Sequence, residues 1–201
     1  VSGGFGPNSE LAMPQYVQPW EIEDYPNVPK GSLITTQLYS SGLSKNFQIK
    51  VYLPPNYDST SSYPVAYFHD GYEYISLASA NHILDNLIDS NLIEPLIGVF
   101  VKPNNRNDEY AMAQRFDYRD FFVDDLVPWV DNNWSTRPDS SNRATIGASF
   151  GGNISAIIAY SRPDVFYKTG QHSGAFWPNN YETANLVASS QNIDLEMASV
   201  W

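Results

Sequence analysis

The chain has 201 residues, 42% of them hydrophobic and 14% aromatic, which is enough for the core of one sizeable α/β domain and too few for two. A net charge of −11 and a pI near 4.5 argue against a broad basic face for nucleic acid or an anionic membrane, and no apolar run approaches the ~18 residues of a membrane span. With no cysteine, thiol catalysis, disulfides and Cys-based zinc sites are excluded.

Residues 1–30 are rich in Pro, Gly and Asn and show no period, so they read as an irregular arm ahead of a domain over 31–201. The opening "VSGGFGPNSE" lacks Met and reads as an interior or mature end. "SLITTQLYS" (32–40) and "NFQIKVYLP" (46–54), divided by "SGLSK", predict an antiparallel hairpin. "PVAYFH" (64–69) and "LIGVFV" (96–101) have the composition of strands buried on both faces. Between them, "ASANHILDNLIDSN" (78–91) places Ile83, Leu84, Leu87 and Ile88 on one helical face. "FDYRDFFVDDLVPWVDNNW" (116–134) aligns Phe122, Leu126, Trp129 and Val130 on a second helix, with Asp117 as N-cap and a kink at Pro128. "RATIG" (143–147) is a strand and "GGNISAIIAYSR" (151–162) a helix. "YKTGQHS" (167–173) and "IDLEM" (193–197) are the last strands. Strand and helix alternate after the hairpin, which predicts a mostly parallel sheet with helices on both faces.

Between "RATIG" and its helix stands Gly147-Ala148-Ser149-Phe150-Gly151. A serine on a sharp strand-to-helix turn needs glycines on either side, because neighbouring backbone passes close by. The helix start then offers free N–H groups to negative charge beside the hydroxyl. Ser149 is therefore the candidate nucleophile, the alternative being a Gly/Ser turn that only joins two elements. An oxyanion would need two donors: the amide of Phe150, and that of Tyr72 or Gly71 in "YFHDGYEY" (67–74), where a strand ends at His69 and Asp70-Gly71 turns the chain. Asp70, His172 and Trp177 are candidate pocket residues, and Tyr72 and Trp177 could stack on a sugar or phenolic ring. No metal is expected, since the Asp120, Asp124, Asp125 cluster lacks ligand spacing and reads as a solvated helix face. No cofactor is expected either.

"FFVDDLVPWVDNNWSTRPDSSNRATIGASFGG" resembles the segment through the nucleophile in the feruloyl esterase, enterochelin esterase and esterase D group, with Asp125, Leu126, Pro128, Arg143, Gly147, Ser149, Gly151 and Gly152 matching. "FQIKVYLPPNYDSTSSYPVAYFHDG", "NRNDEY" (105–110) and "RPDVFYKTGQHSGAFW" are similar to further segments of that group, in the same order, so the resemblance runs from about Val28 to Trp177. It implies an α/β-hydrolase three-layer sandwich and a Ser–His–acid triad acting on carboxylic esters, with serine, acid and histidine in that chain order.

Here the chain departs from the pattern. "NIDLEMASVW" (192–201) stands where the acid is expected, and no histidine follows it. The three histidines are His69, at a strand end; His82, in a helix remote from the serine; and His172, beside the elbow strand. Asp70, Asp194 and Glu196 do not complete a triad. Three explanations stand open: a second chain or a continuation supplies acid and histidine, the fold has lost its chemistry, or the base is unusual. The first is the expectation, with a fold incomplete at its C-terminus. The expected function is a secreted carboxylic ester hydrolase removing feruloyl- or acetyl-type groups from polysaccharide. A silent binding or assembly module and an acyltransferase are the alternatives.

Overall fold

The structure is a computed structural model that describes residues 2–3, 6–7, 13–190 and 195–200. Ser2–Gly3 (β1) and Gly6–Pro7 (β2) pair antiparallel at the chain's beginning. The seven strands of the main sheet are β3 (Ser32–Ser40), β4 (Lys45–Leu53), β5 (Val65–Phe68), β6 (Ile97–Lys102), β7 (Arg143–Ala148), β8 (Lys168–His172) and β9 (Glu196–Val200). Their spatial order is β3-β4-β6-β5-β7-β8-β9. The β3–β4 and β4–β6 pairs are antiparallel, and every pair from β6–β5 to β8–β9 is parallel. This is the α/β-hydrolase arrangement, a mostly parallel sheet with the hairpin at its N-terminal edge.

Parallel neighbours need crossovers, and helices supply them. Helices α1 (Gly71–Ser76) and α2 (Ala80–Asp89) link β5 to β6. Helices α3 (Arg106–Tyr110), α4 (Arg115–Asp120) and α5 (Val127–Asn133) lead to β7, α6 (Phe150–Ser161) leads to β8, and α7 (Pro178–Ser189) leads to β9. Side-chain alternation along the central strands splits the core in two. Val65, Tyr67, Ile97, Val99 and Val101 pack toward Phe122, Leu126, Ile154 and Ile158, while Ala66, Phe68 and Phe100 pack toward α2 through Ala80 and Leu84.

The long helix departs from expectation at its N-cap. It starts at Arg115 with Gln114 as N-cap, and the Tyr118 amide already donates to the Gln114 carbonyl, so Asp117 sits inside the first turn instead of capping it. Ahead of Pro128 the ladder slips into a π-helix over Phe121–Leu126, and α5 resumes with the proline in its first turn, where the missing N–H costs little. The slip lets Phe121, Phe122, Val123, Leu126 and Val127 all reach the core. The arm is tied down where it meets α2. Asn86 is buried and donates to the Glu21 and Glu23 carbonyls, while buried Asp85 accepts from the Gly31 amide and the Tyr52 hydroxyl.

Candidate active site

Ser149 lies between β7 and α6 with φ 56° and ψ −116°, a conformation that side-chain-bearing residues rarely adopt, and it is exposed. Such a backbone costs about 1–3 kcal/mol and persists only when its surroundings enforce it. Here they do. The Ser149 amide donates to the His172 carbonyl at 2.9 Å, and the Ser149 carbonyl accepts from the amides of Asn153 and Ala175. A Cβ on Gly147 would fall 2.3 Å from the Gly151 backbone, so only glycine permits the turn. Asn153, buried in the first turns of α6, donates to the Tyr110 carbonyl and accepts from Thr183 of α7, which fixes the elbow from behind.

The serine opens into a hollow of about 570 Å³ lined by Ala148, Asp70, Glu73, Tyr74, Arg106 and His172, with Leu77 and Ala78 adding apolar wall. The Phe150 amide is the first N–H of α6 and the Tyr72 amide lies in the first turn of α1, positions with no carbonyl partner inside their own helix. Helix α1 starts directly against β6, where a Cβ on Gly71 would meet the Phe100 backbone at 2.4 Å. The Tyr72 ring points away from the serine hollow, toward Lys50 and Lys102. Trp177 is exposed outside the lining and reaches the site through Phe150, its ring centre 5.5 Å away.

Asp70 turns the chain into α1 in the left-handed region (φ 53°). Its amide donor is taken by the Tyr110 hydroxyl at 2.9 Å, and its carboxylate is gripped by Arg106 through both Nε and Nη2. Burial pushes the Asp70 carboxyl above its usual range, against the opposing pull of the guanidinium. Arg106 Nη2 also donates to the Ala148 carbonyl at 3.2 Å, so one guanidinium joins the loop after β5 to the elbow. Sequence reasoning did not select Arg106. Its only signal was the "NRNDEY" segment, which forms α3.

The histidines separate by environment. His69 is fully buried, with Nε2 2.9 Å from Thr145 Oγ1 and Nδ1 3.2 Å from the Tyr118 hydroxyl, and burial lowers its pKa to about 3. Both ring nitrogens are thus occupied by structure. His82 stands on α2, outside the lining of the hollow. His172 lines the hollow with Ser149, and its Nδ1 lies 2.8 Å from the Tyr74 hydroxyl. Burial raises the Tyr74 phenol well above its ordinary pKa, so it stays a neutral partner. Of the acid candidates, Glu196 pairs with Lys168 across β8–β9, and Asp194 lies outside the described residues. Asp120 and Asp124 are exposed and paired with Arg119 and Arg162.

A family model described as "Putative esterase" matches residues 40–198, which hold β4 to β8, the elbow and the hollow. The chain belongs to this esterase family. Among curated relatives, it is 28% identical over 166 residues to the uncharacterised protein YbbA of Bacillus subtilis, covering 75% of this chain and 63% of YbbA. It is 29% identical over 161 residues to an endo-1,4-beta-xylanase/feruloyl esterase of Xylanibacter ruminicola, covering 74% of this chain and 22% of that protein. The chain thus spans less than two thirds of the length of these relatives. Among solved structures, a ferulic acid esterase of Anaeromyces mucronatus superposes with a TM-score of 0.70 at 16% identity, covering 90% of this chain and 87% of that one. An enterochelin esterase of Shigella flexneri gives a TM-score of 0.77 at 16% identity, covering 100% and 61%. At these identities the structural likeness carries the esterase fold.

Proposed function

We propose that the chain carries the nucleophile and oxyanion site of a secreted serine esterase that removes feruloyl- or acetyl-type groups from polysaccharide. One observation carries the reading: Ser149 is held exposed on a strained turn at the head of a helix, facing a hollow with apolar wall. Ser149 Oγ attacks the ester carbonyl, and the carbonyl electrons move to an oxyanion that accepts from the Phe150 and Tyr72 amides. Each such donor is worth about 3 kcal/mol of transition-state stabilisation. The serine proton passes to a histidine supplied from outside these 201 residues, oriented by an acid, and from there to the departing sugar oxygen. Water, activated by the same base, then releases the carboxylic acid and regenerates the serine. Asp70, His172 and Trp177 are assigned to the wall and rim around the acyl group. The likeness to the feruloyl esterase of Xylanibacter ruminicola and the ferulic acid esterase of Anaeromyces mucronatus supports the choice of acyl group.

The test is release of ferulate or acetate from feruloylated or acetylated xylan by the full natural polypeptide. The reading expects release that falls at least about 10³-fold in Ser149→Ala. Equal release by both proteins would overturn it. A second reading, a catalytically silent binding module, is favoured by the occupied nitrogens of His69 and the placement of His82. It expects binding of the same polysaccharide with no release.

A further inference from the structure

Among the described residues, all six arginines and three of the five lysines have a carboxylate partner. The two lysines without one are Lys50 and Lys102, and they meet at the same ring: Lys50 Nζ stands 4.6 Å and Lys102 Nζ 5.6 Å from the centre of Tyr72. The two ammonium groups therefore lie within about 10 Å of each other, and in a protein with 22 acidic and 11 basic residues the pair stands out for having the Tyr72 ring, not a carboxylate, as its neighbour.

The backbone puts them together. Lys50 of β4 stands in register with Thr35 of β3, and Gln48 with Gln37 on one side and Lys102 of β6 on the other, so all share one sheet face. That face is the one α1 and α2 cover further along, at Phe100 and Phe68. Where the helices stop, Thr35, Gln37, Gln48 and Lys50 line an open hollow of about 520 Å³ with Tyr72 as its end wall.

We propose that this hollow is an accessory subsite for a sugar carboxylate, a uronic acid residue carried on an otherwise neutral glycan. The proposal deepens the polysaccharide reading of the Ser149 site and rests on it for the nature of the chain bound. Lys50 in the lining and Lys102 beside the Tyr72 wall supply point charges for one carboxylate, and the Thr35, Gln37 and Gln48 side chains suit sugar hydroxyls. A compact dianion such as phosphate is met best by arginine forks or a cluster of free amides. This face has no arginine, and its strand amides run in the β3–β4 and β4–β6 ladders. A dense polyanion is disfavoured by the overall charge of −11. Tyr72 sits on α1, whose Glu73 and Tyr74 line the Ser149 hollow, so the two hollows flank one helix, about 10–12 Å across. A glycan crossing α1 would place its uronic residue on the lysines and its acyl ester at Ser149.

The experiment is calorimetric titration of the Ser149→Ala chain with neutral xylotetraose and with the same oligomer bearing one glucuronic acid. The acidic oligomer should bind about tenfold more tightly at low salt. In Lys50→Gln/Lys102→Gln that preference should disappear while the unfolding midpoint stays at the parent value. Lys102→Gln alone, on an exposed side chain, should lose part of it and serves if the double variant does not fold. Equal binding of the two oligomers by the parent, a preference that survives both substitutions, or inorganic phosphate binding at the lysines as tightly as the acidic oligomer would overturn the proposal. Because Ser149 is absent from the titrated protein, the result stands apart from whether the ester is cleaved.

Discussion

Ser149 depends on its neighbours for a conformation it would not choose. Its backbone is anchored by β8 through the His172 carbonyl and by the Ala175 amide, and Gly147 leaves the room that lets Gly151 pass. Gly147→Ala should therefore cost about 3 kcal/mol of stability and relax the turn; a thermal unfolding curve identical to the parent's would show the close approach to be wrong. His69 presents a separate residue-scale effect. Its pKa of about 3 in the folded chain lies below the ordinary histidine value of 6.5 because burial penalises the imidazolium. The folded state thus binds fewer protons than the unfolded state between those values. The stabilisation is complete above about pH 6.5 and is lost as pH falls toward 3, with a total on the order of 3–5 kcal/mol. Urea unfolding from pH 7 to pH 4 should show this loss in the parent and a shallower one in His69→Gln. Parallel curves would contradict the account.

At the scale of elements, Asp85 shows how the arm and α2 depend on each other. Its carboxylate accepts from the Gly31 amide at 2.8 Å and the Tyr52 hydroxyl at 2.7 Å. Asp85→Ala leaves the buried Tyr52 hydroxyl and the half-buried Gly31 amide unpaired and should cost about 1–3 kcal/mol. Limited proteolysis should then cut ahead of Gly31 faster than in the parent, and unchanged cleavage would mean that the arm is held elsewhere. The same residue marks where sequence reading stops. The hairpin strands and long helices were legible because burial of one face imposes a period, and the central strands because burial of both faces leaves a short apolar run. Ile83, Leu84, Leu87 and Ile88 announced α2, but nothing local announced that Asp85 and Asn86 would be covered, since their partners lie 33 or more residues away. Helices α1 and α3 span six and five residues, under two turns, too short for periodicity to register. They supply Glu73, Tyr74 and Arg106 to the site, and those residues went unseen. Helix α7 was missed although Pro178 opens it. The glycine-flanked serine and the Asp-Gly turn were readable because backbone geometry restricts residue choice at those positions.

Across the whole molecule, the parallel strands β5, β7 and β8 end at one edge of the sheet, where the loops after them converge on Ser149. That edge is the usual seat of function in sheets of this topology. The acidic surface would keep highly charged polyanions at a distance while the paired cations brace α3, α4 and β7. The site therefore stands or falls on Ser149 as a nucleophile. A fluorophosphonate probe incubated with the full natural polypeptide, followed by peptide mass mapping, tests this directly. The account predicts a single adduct on Ser149 that vanishes in Ser149→Ala. A protein that folds, binds its polysaccharide and leaves Ser149 unmodified would contradict it.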